Sequence, residues 1–216
     1  MKISTTRAET FSDGVMSIII TIMVLQLKLP DFKNDDTSWE TTRYLQNIIP
    51  YFAAYAFSFM MIGIFWTNHH HMFHLLEHTD AKLIWQNLIF LFWVSIIPLA
   101  TALIGAGPLV PEAVAAYGFV MLMVTFFLTI MRNHTLKQKL LHREKEIDLD
   151  KKIQKVSVLG RTKSLIGSAS YLISIPLAFV NVYLAYVCLI IPPIIFFIPD
   201  GIDDEKLAEK IVEKNL

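Results

Sequence analysis

RAETFSDGVMSIIITIMVLQLKL, residues 7–29, decides how the rest of the chain must be read. A charged entry gives way to a run from Val15 to Leu25 that only Ser17 and Thr21 interrupt. Asp13 stands just before that run, where the unpaired N–H groups of a starting helix favour an acidic acceptor, and Arg7 lies close enough upstream to fold back toward it. At 100° per residue Asp13, Ser17 and Thr21 form one polar stripe. Ile18, Ile22, Leu25 and Leu29 form a second, apolar stripe roughly 100° further round. A helix that only faces lipid has no use for two such different stripes, so this one reads as a working surface.

Lys2 and Arg7 ahead of an apolar run invite a signal-peptide reading. Asp13 at the edge of the run, and Lys28-Leu29-Pro30 where small cleavage-site residues would be needed, argue for a retained membrane helix. The remaining composition agrees. Of the 216 residues 54% are hydrophobic and only 18% charged, too few polar groups to coat a soluble globule of this size. The formal net charge is zero, so nothing draws the chain to nucleic acid. Cys188, the single cysteine, cannot close an internal disulfide and reads as a small apolar residue.

Six apolar segments follow, at about 14–29, 47–67, 83–104, 112–131, 163–179 and 182–198. They predict an all-α, polytopic membrane protein: one six-helix domain over 1–199 and a short helical tail over 200–216. The first segment covers only about 24 Å, against a hydrocarbon core of ~30 Å, unless its helix starts as early as Thr5 or Lys28 snorkels. The fifth is also short. With the N-terminus inside, sixteen of the nineteen Lys and Arg residues fall on the inner side and only Lys28, Lys33 and Arg43 on the outer. That bias predicts both termini in the cytoplasm, with all seven histidines on the same side. The hydrophilic linker 132–162 carries apolar residues at mixed three- and four-residue steps. It reads as an extension of the fourth helix, then a helix along the membrane surface.

Chemistry-bearing groups are sparse. His70, His74 and His78 recur every four residues and could share a helix face, but no cysteine and no adjacent pair of carboxylates completes a ligand set. Interfacial imidazoles bonded to neighbouring helices are the expectation, with no metal required. Ala116-Tyr117-Gly118-Phe119 looks like a carbonyl filter but lacks the preceding Thr-Val-Gly and lies inside an apolar run. No phosphate loop, HExxH, nucleophile elbow or acid–base pair is present, so an enzyme is not expected. Three classes remain: an ion channel, a proton- or metal-coupled transporter using Asp13 and the His69–His78 cluster, and a passive membrane component.

A resemblance ranks them. Arg7-x-x-x-Phe11-Ser12-Asp13-Gly14-Val15 resembles the opening helix of the transmembrane protein 175 family of potassium channels, whose signature is an Arg followed by Phe-Ser-Asp. The likeness continues through Trp66-x-x-His69-His70, Asp80 and the segment Leu83 to Thr101, in order. It implies a potassium-selective or leaky monovalent cation channel in its prokaryotic single six-helix form, embedded in the cell membrane. One chain holds one signature helix, so the resemblance implies a homotetramer around a shared pore. It implies Ile18, Ile22 and Leu25 as the pore constriction, Thr21 as the residue offering hydroxyls to the ion, and no cofactor beyond permeant K⁺. Arg7, Phe11, Ser12 and Asp13 become a structural lock, with Arg7 the first partner for Asp13 and His69 and His70 the second. Spacing alone would instead place the Ser17/Thr21 stripe in the pore.

Overall fold

The computed structural model describes residues 4–27, 41–138, 140–141 and 147–197, with backbone alone at 26, 41–47 and 147–153. Among these residues the chain forms six α-helices and no strand. They are α1 (Thr5–Ile22), α2 (Thr41–His74), α3 (Ala81–Ala106), α4 (Pro111–Gln138), α5 (Ile147–Val180) and α6 (Val182–Phe197). Five are long and apolar enough to cross a membrane, which makes the chain a multi-pass membrane protein.

α1 and α5 differ most from the sequence reading. α1 starts at Thr5 instead of about 14, then tightens into a 3-10 turn over Met23–Gln26. The fifth helix is not short: α5 runs unbroken for 34 residues and takes in the second half of the linker, where a separate surface helix is expected. Its inner stretch has a face to bury, because Val156, Gly160, Lys163 and Ser164 all pack inside the bundle. The short helix is α6, whose 16 residues span about 24 Å. The tail 200–216 lies outside the described residues.

α2 and α5, at 34 residues each, are about 51 Å long and outrun a ~30 Å hydrocarbon core by some 20 Å. At one end of the bundle polar contacts join α2, α4 and α5. The Arg132 guanidinium crosses from α4 to α2, donating to Asn68 Oδ1 at 2.8 Å and to its carbonyl at 3.3 Å. Gly160 of α5 makes room for it: a Cβ there would come within 2.7 Å of Arg132 Cζ. Close by, Leu76 and Leu141 form an isolated antiparallel bridge, and Glu77 N–H donates to the Leu140 carbonyl at 2.9 Å.

The core between the helices is apolar, built from residues such as Met16, Phe65, Val94 and Met121. A polar chain threads part of it: Thr101 Oγ1 donates to Ser58 Oγ at 2.8 Å, and Ser58 Oγ lies 2.8 Å from the Tyr117 hydroxyl. Residues 116–119 thus lie within α4, with Tyr117 and Gly118 buried, and not in a filter loop. Such bonds between membrane helices contribute about 0.6 kcal/mol each on average, so packing carries most of the stability and these bonds set register.

Candidate pore helix and its lock

α1 separates its residues by face. Ser12, Met16, Ile19 and Met23, spaced four, three and four apart, are buried against the bundle. Phe11, Ser17, Ile18, Thr21, Ile22 and Leu25 are exposed in the isolated chain, Ile18 at 62% and Leu25 at 78%. Ser17 and Thr21 of the polar stripe and Ile18, Ile22 and Leu25 of the apolar one therefore share one exposed face.

The buried face is fastened by a directed chain of hydrogen bonds. Ser12 Oγ donates to the Ala8 carbonyl at 2.8 Å, so it can only accept from the next member. That member is Asn87 Nδ2 of α3, at 2.8 Å. The amide is thereby oriented, and its Oδ1 faces His69 Nε2 of α2 at 2.8 Å. Since Oδ1 only accepts, Nε2 carries the imidazole proton. The ring is held flat between Phe73 and Phe90, with centroids 4.3 and 5.5 Å away. Three helices meet in this one chain of groups. Asn87 was not singled out from the sequence, although an amide inside the apolar run 83–104 is a signal that could have found it.

Asp13 makes a second tie, but not to Arg7. Its Oδ1 accepts from Trp66 Nε1 of α2 at 2.9 Å. Because α1 is already helical from Thr5, Arg7 and Asp13 stand six residues apart on one helix, about 9 Å along the axis and 240° around it. Arg7 is exposed and no ion pair joins it to Asp13 among the described residues. Phe11 also faces outward. Of the four signature residues, Ser12 and Asp13 hold α1 in place. Trp66 in turn stacks on His70, with centroids 5.7 Å apart, and His70 Nδ1 lies 3.0 Å from Glu9 Oε1. Glu9 escaped the sequence reading, since its partner lies some sixty residues away.

The histidine periodicity stops early. α2 ends at His74, so His78 is exposed in the connection to α3 and does not share a helix face with His70. His70 and His74 do stack, at 5.9 Å. Beyond them Asp80 caps α3, accepting from Leu83 N–H at 2.7 Å, and its Oδ2 lies 2.7 Å from His134 Nε2 of α4. Burial acts to raise the Asp80 pKa. The Leu83 N–H, His134 and Lys82 outweigh it and hold the carboxyl below its ordinary value. A depressed carboxyl stabilises the fold above its ordinary pKa, near 4, and that contribution disappears as pH falls through the lowered value. Asp80→Asn is therefore expected to melt below the wild type at neutral pH. Titrated downward from pH 7 to 3, the gap should hold to about pH 5 and then shrink. A gap that widens on acidification would reverse the assigned sign.

Thr21 sits in the middle of the exposed face. Its hydroxyl donates backward, to the Ile18 carbonyl at 2.8 Å and the Ser17 carbonyl at 3.0 Å. With the proton directed into the helix, the oxygen lone pairs face outward, the arrangement a cation needs.

Residues 7–98 match the family model described as Endosomal/lysosomal potassium channel TMEM175. A potassium channel of Chryseobacterium sp. (strain P1-3) is 36% identical over 203 residues, 94% of this chain and 97% of that protein. The human protein named Endosomal/lysosomal proton channel TMEM175 is 35% identical over 104 residues, 45% of this chain and 20% of that protein. The crystal structure of a lysosomal potassium-selective channel TMEM175 homolog from Chamaesiphon minutus superposes with a TM-score of 0.73 at 27% identity, covering 91% of this chain and 98% of that one. Matched nearly end to end by a relative at 36% identity, the chain belongs to the TMEM175 family, a family of ion channels and not of enzymes.

Proposed function

We propose that the chain is a potassium channel subunit, and that four copies place their α1 helices around one pore in a prokaryotic plasma membrane. The carrying observation is the division of α1: one face is tied into its own bundle, and the other, with Ile18, Thr21, Ile22 and Leu25, is left without a partner. One such helix cannot enclose an ion path. A closed ring of identical subunits can, each giving the same face to the axis. The excess of Lys and Arg on one side orients both termini to the cytoplasm.

On this reading Ile18, Ile22 and Leu25 form a narrow, dry ring, and conduction requires the ion to shed water there. Potassium is larger and less tightly hydrated than sodium and sheds water at lower cost. The outward lone pairs of four Thr21 hydroxyls offset part of that loss, so modest selectivity arises without a carbonyl cage. Phe11 and Arg7, exposed in the single chain, then face neighbouring subunits or the pore mouth.

Two measurements on the purified protein test this. In mild detergent its mass should correspond to four chains. In liposomes it should pass K⁺ down a gradient faster than Na⁺ and without coupling to a second ion. A conducting monomer overturns the fourfold pore. Saturable flux that moves protons with the ion would establish the transporter instead, with Asp13 and the histidines as carriers.

A further inference from the structure

Glu9 and Asp13 lie one helical turn apart on α1, and both face His70 of α2. One ligand atom from each — a carboxylate oxygen twice, an imidazole nitrogen once — lies within 4.8 Å of the other two. Four-coordinate metal sites with bonds of 2.0–2.2 Å hold their ligand atoms ~3.5 Å apart, so the group needs about an ångström of side-chain adjustment to close on an ion. His70 Nδ1 shows why it would. It is shielded from solvent and makes no aligned hydrogen bond, although Glu9 Oε1 is only 3.0 Å away. With no proton on Nδ1 the two facing atoms are both electron-rich, and with a second carboxylate beside them they form a point of negative potential that a cation, a proton or a metal ion, relieves.

We infer that Glu9, Asp13 and His70 form a binding site for a first-row transition-metal dication of the Zn²⁺ or Co²⁺ type. The imidazole nitrogen selects against Ca²⁺ and Mg²⁺, which take oxygen ligands almost exclusively. Trp66 prepares the site from behind. Its indole N–H occupies Asp13 Oδ1 at 2.9 Å, fixing the carboxylate and leaving the other oxygen for the metal, and its ring stacks on the imidazole of His70. The His70 side chain is 42% exposed and that of Glu9 20%, so the site borders the surface although Nδ1 itself is shielded, and the adjustment that closes it on an ion must also open it to water. Three protein ligands leave room for bound water, the mark of an exchangeable ion and not of one the fold depends on. Because two ligands are on α1 and one on α2, the ion fastens the first helix to the second at their polar ends. Binding itself does not require that α1 lines a pore.

The test uses the full chain with Co²⁺ as the probe, read by its visible ligand-field absorption, and Zn²⁺ as competitor. One Co²⁺ should bind per chain, be displaced by Zn²⁺, and resist displacement by Ca²⁺ or Mg²⁺ at equal concentration. Glu9→Gln and His70→Gln should each weaken binding at least about tenfold, while His78→Gln leaves it unchanged. Zn²⁺ should raise the melting temperature of the wild type and of His78→Gln but not of Glu9→Gln, which also shows whether that variant folds. His70→Cys should keep Co²⁺ and add a near-ultraviolet thiolate charge-transfer band absent from the wild type. Binding abolished by His78→Gln and indifferent to Glu9→Gln would move the metal to the surface histidines and overturn the assignment. So would equal displacement by Ca²⁺, no thiolate band in a folded His70→Cys, or no stoichiometric binding at all.

Discussion

Asn87→Leu is expected to lower the melting temperature by about 5–10 °C, the shift that a loss of 2–3 kcal/mol gives a chain of this length. The substitution keeps the side-chain volume roughly constant, so it opens no large cavity. It removes the one group that links α1, α2 and α3. Hydrogen bonds between membrane helices contribute only about 0.6 kcal/mol on average and 1.7 at most, and two of them would predict a smaller effect. The larger figure comes from what remains: a buried imidazole N–H facing a methyl group, a stranded donor that costs about 1–3 kcal/mol. Ser12→Ala should cost less, because Asn87 then loses only one of its partners. Combining the two should cost less than their sum, since after Asn87→Leu the Ser12 hydroxyl no longer has a donor to receive from. The measurement is thermal unfolding in one detergent for all four proteins. Equal melting of wild type and Asn87→Leu would show that the chain of bonds is incidental, and strict additivity would show that Ser12 and Asn87 are not coupled.

What the sequence made legible, and what it hid, divides along a physical line. The stripes of α1 were readable because a helix face depends only on spacing, and each of Ile18, Thr21, Ile22 and Leu25 is indeed on the exposed side. The resemblance reached the family because Arg7, Phe11, Ser12 and Asp13, then Trp66, His69 and His70, occur in a fixed order. Partners across helices were not readable. Nothing in a one-dimensional pattern says that Asn87 stands beside Ser12, or Glu9 beside His70, since both pairings follow from how three helices pack. The Arg7–Asp13 pairing failed for a related reason: it assumed a chain that turns before Asp13, and a helix beginning at Thr5 removes the turn. α5 was cut short because Lys151, Lys152, Lys155 and Arg161 make its inner half look like a surface segment. Lys155 and Arg161 are exposed, but the charged Lys163 is buried, so charge alone does not mark the outer side. Val156, Gly160 and Ser164 form its packed side, and only the fold reveals which side is which.

Ile18→Asn and Ile22→Asn are each expected to raise K⁺ current at least about tenfold, the change produced by 1.4 kcal/mol off the barrier. An apolar ring resists ions because water leaves it and an ion cannot follow unhydrated. In the proposed fourfold pore, four carboxamides, one from each subunit, would supply donors and acceptors that hold water in the constriction, so the ion would keep more of its shell. That same shell makes Na⁺ and K⁺ alike, and the preference for K⁺ should fall toward one as current rises. Thr21→Ala separates these effects. Its hydroxyl donates into its own helix and offers lone pairs outward, so removing it strips a partner from the dehydrated ion without wetting the ring. Selectivity should drop with little gain in current. Ser17→Ala, on the same exposed face but one position round from Ile18, should change neither, because among the described residues nothing bonds to its hydroxyl and its carbonyl still accepts from Thr21. Single-channel or liposome flux under matched K⁺ and Na⁺ gradients reads all four variants together. If Ile18 and Ile22 prove silent while Ser17→Ala alters conduction, the polar stripe faces the axis, α1 is rotated by roughly 100° from the proposed ring, and the apolar stripe seals the contact between neighbouring subunits instead.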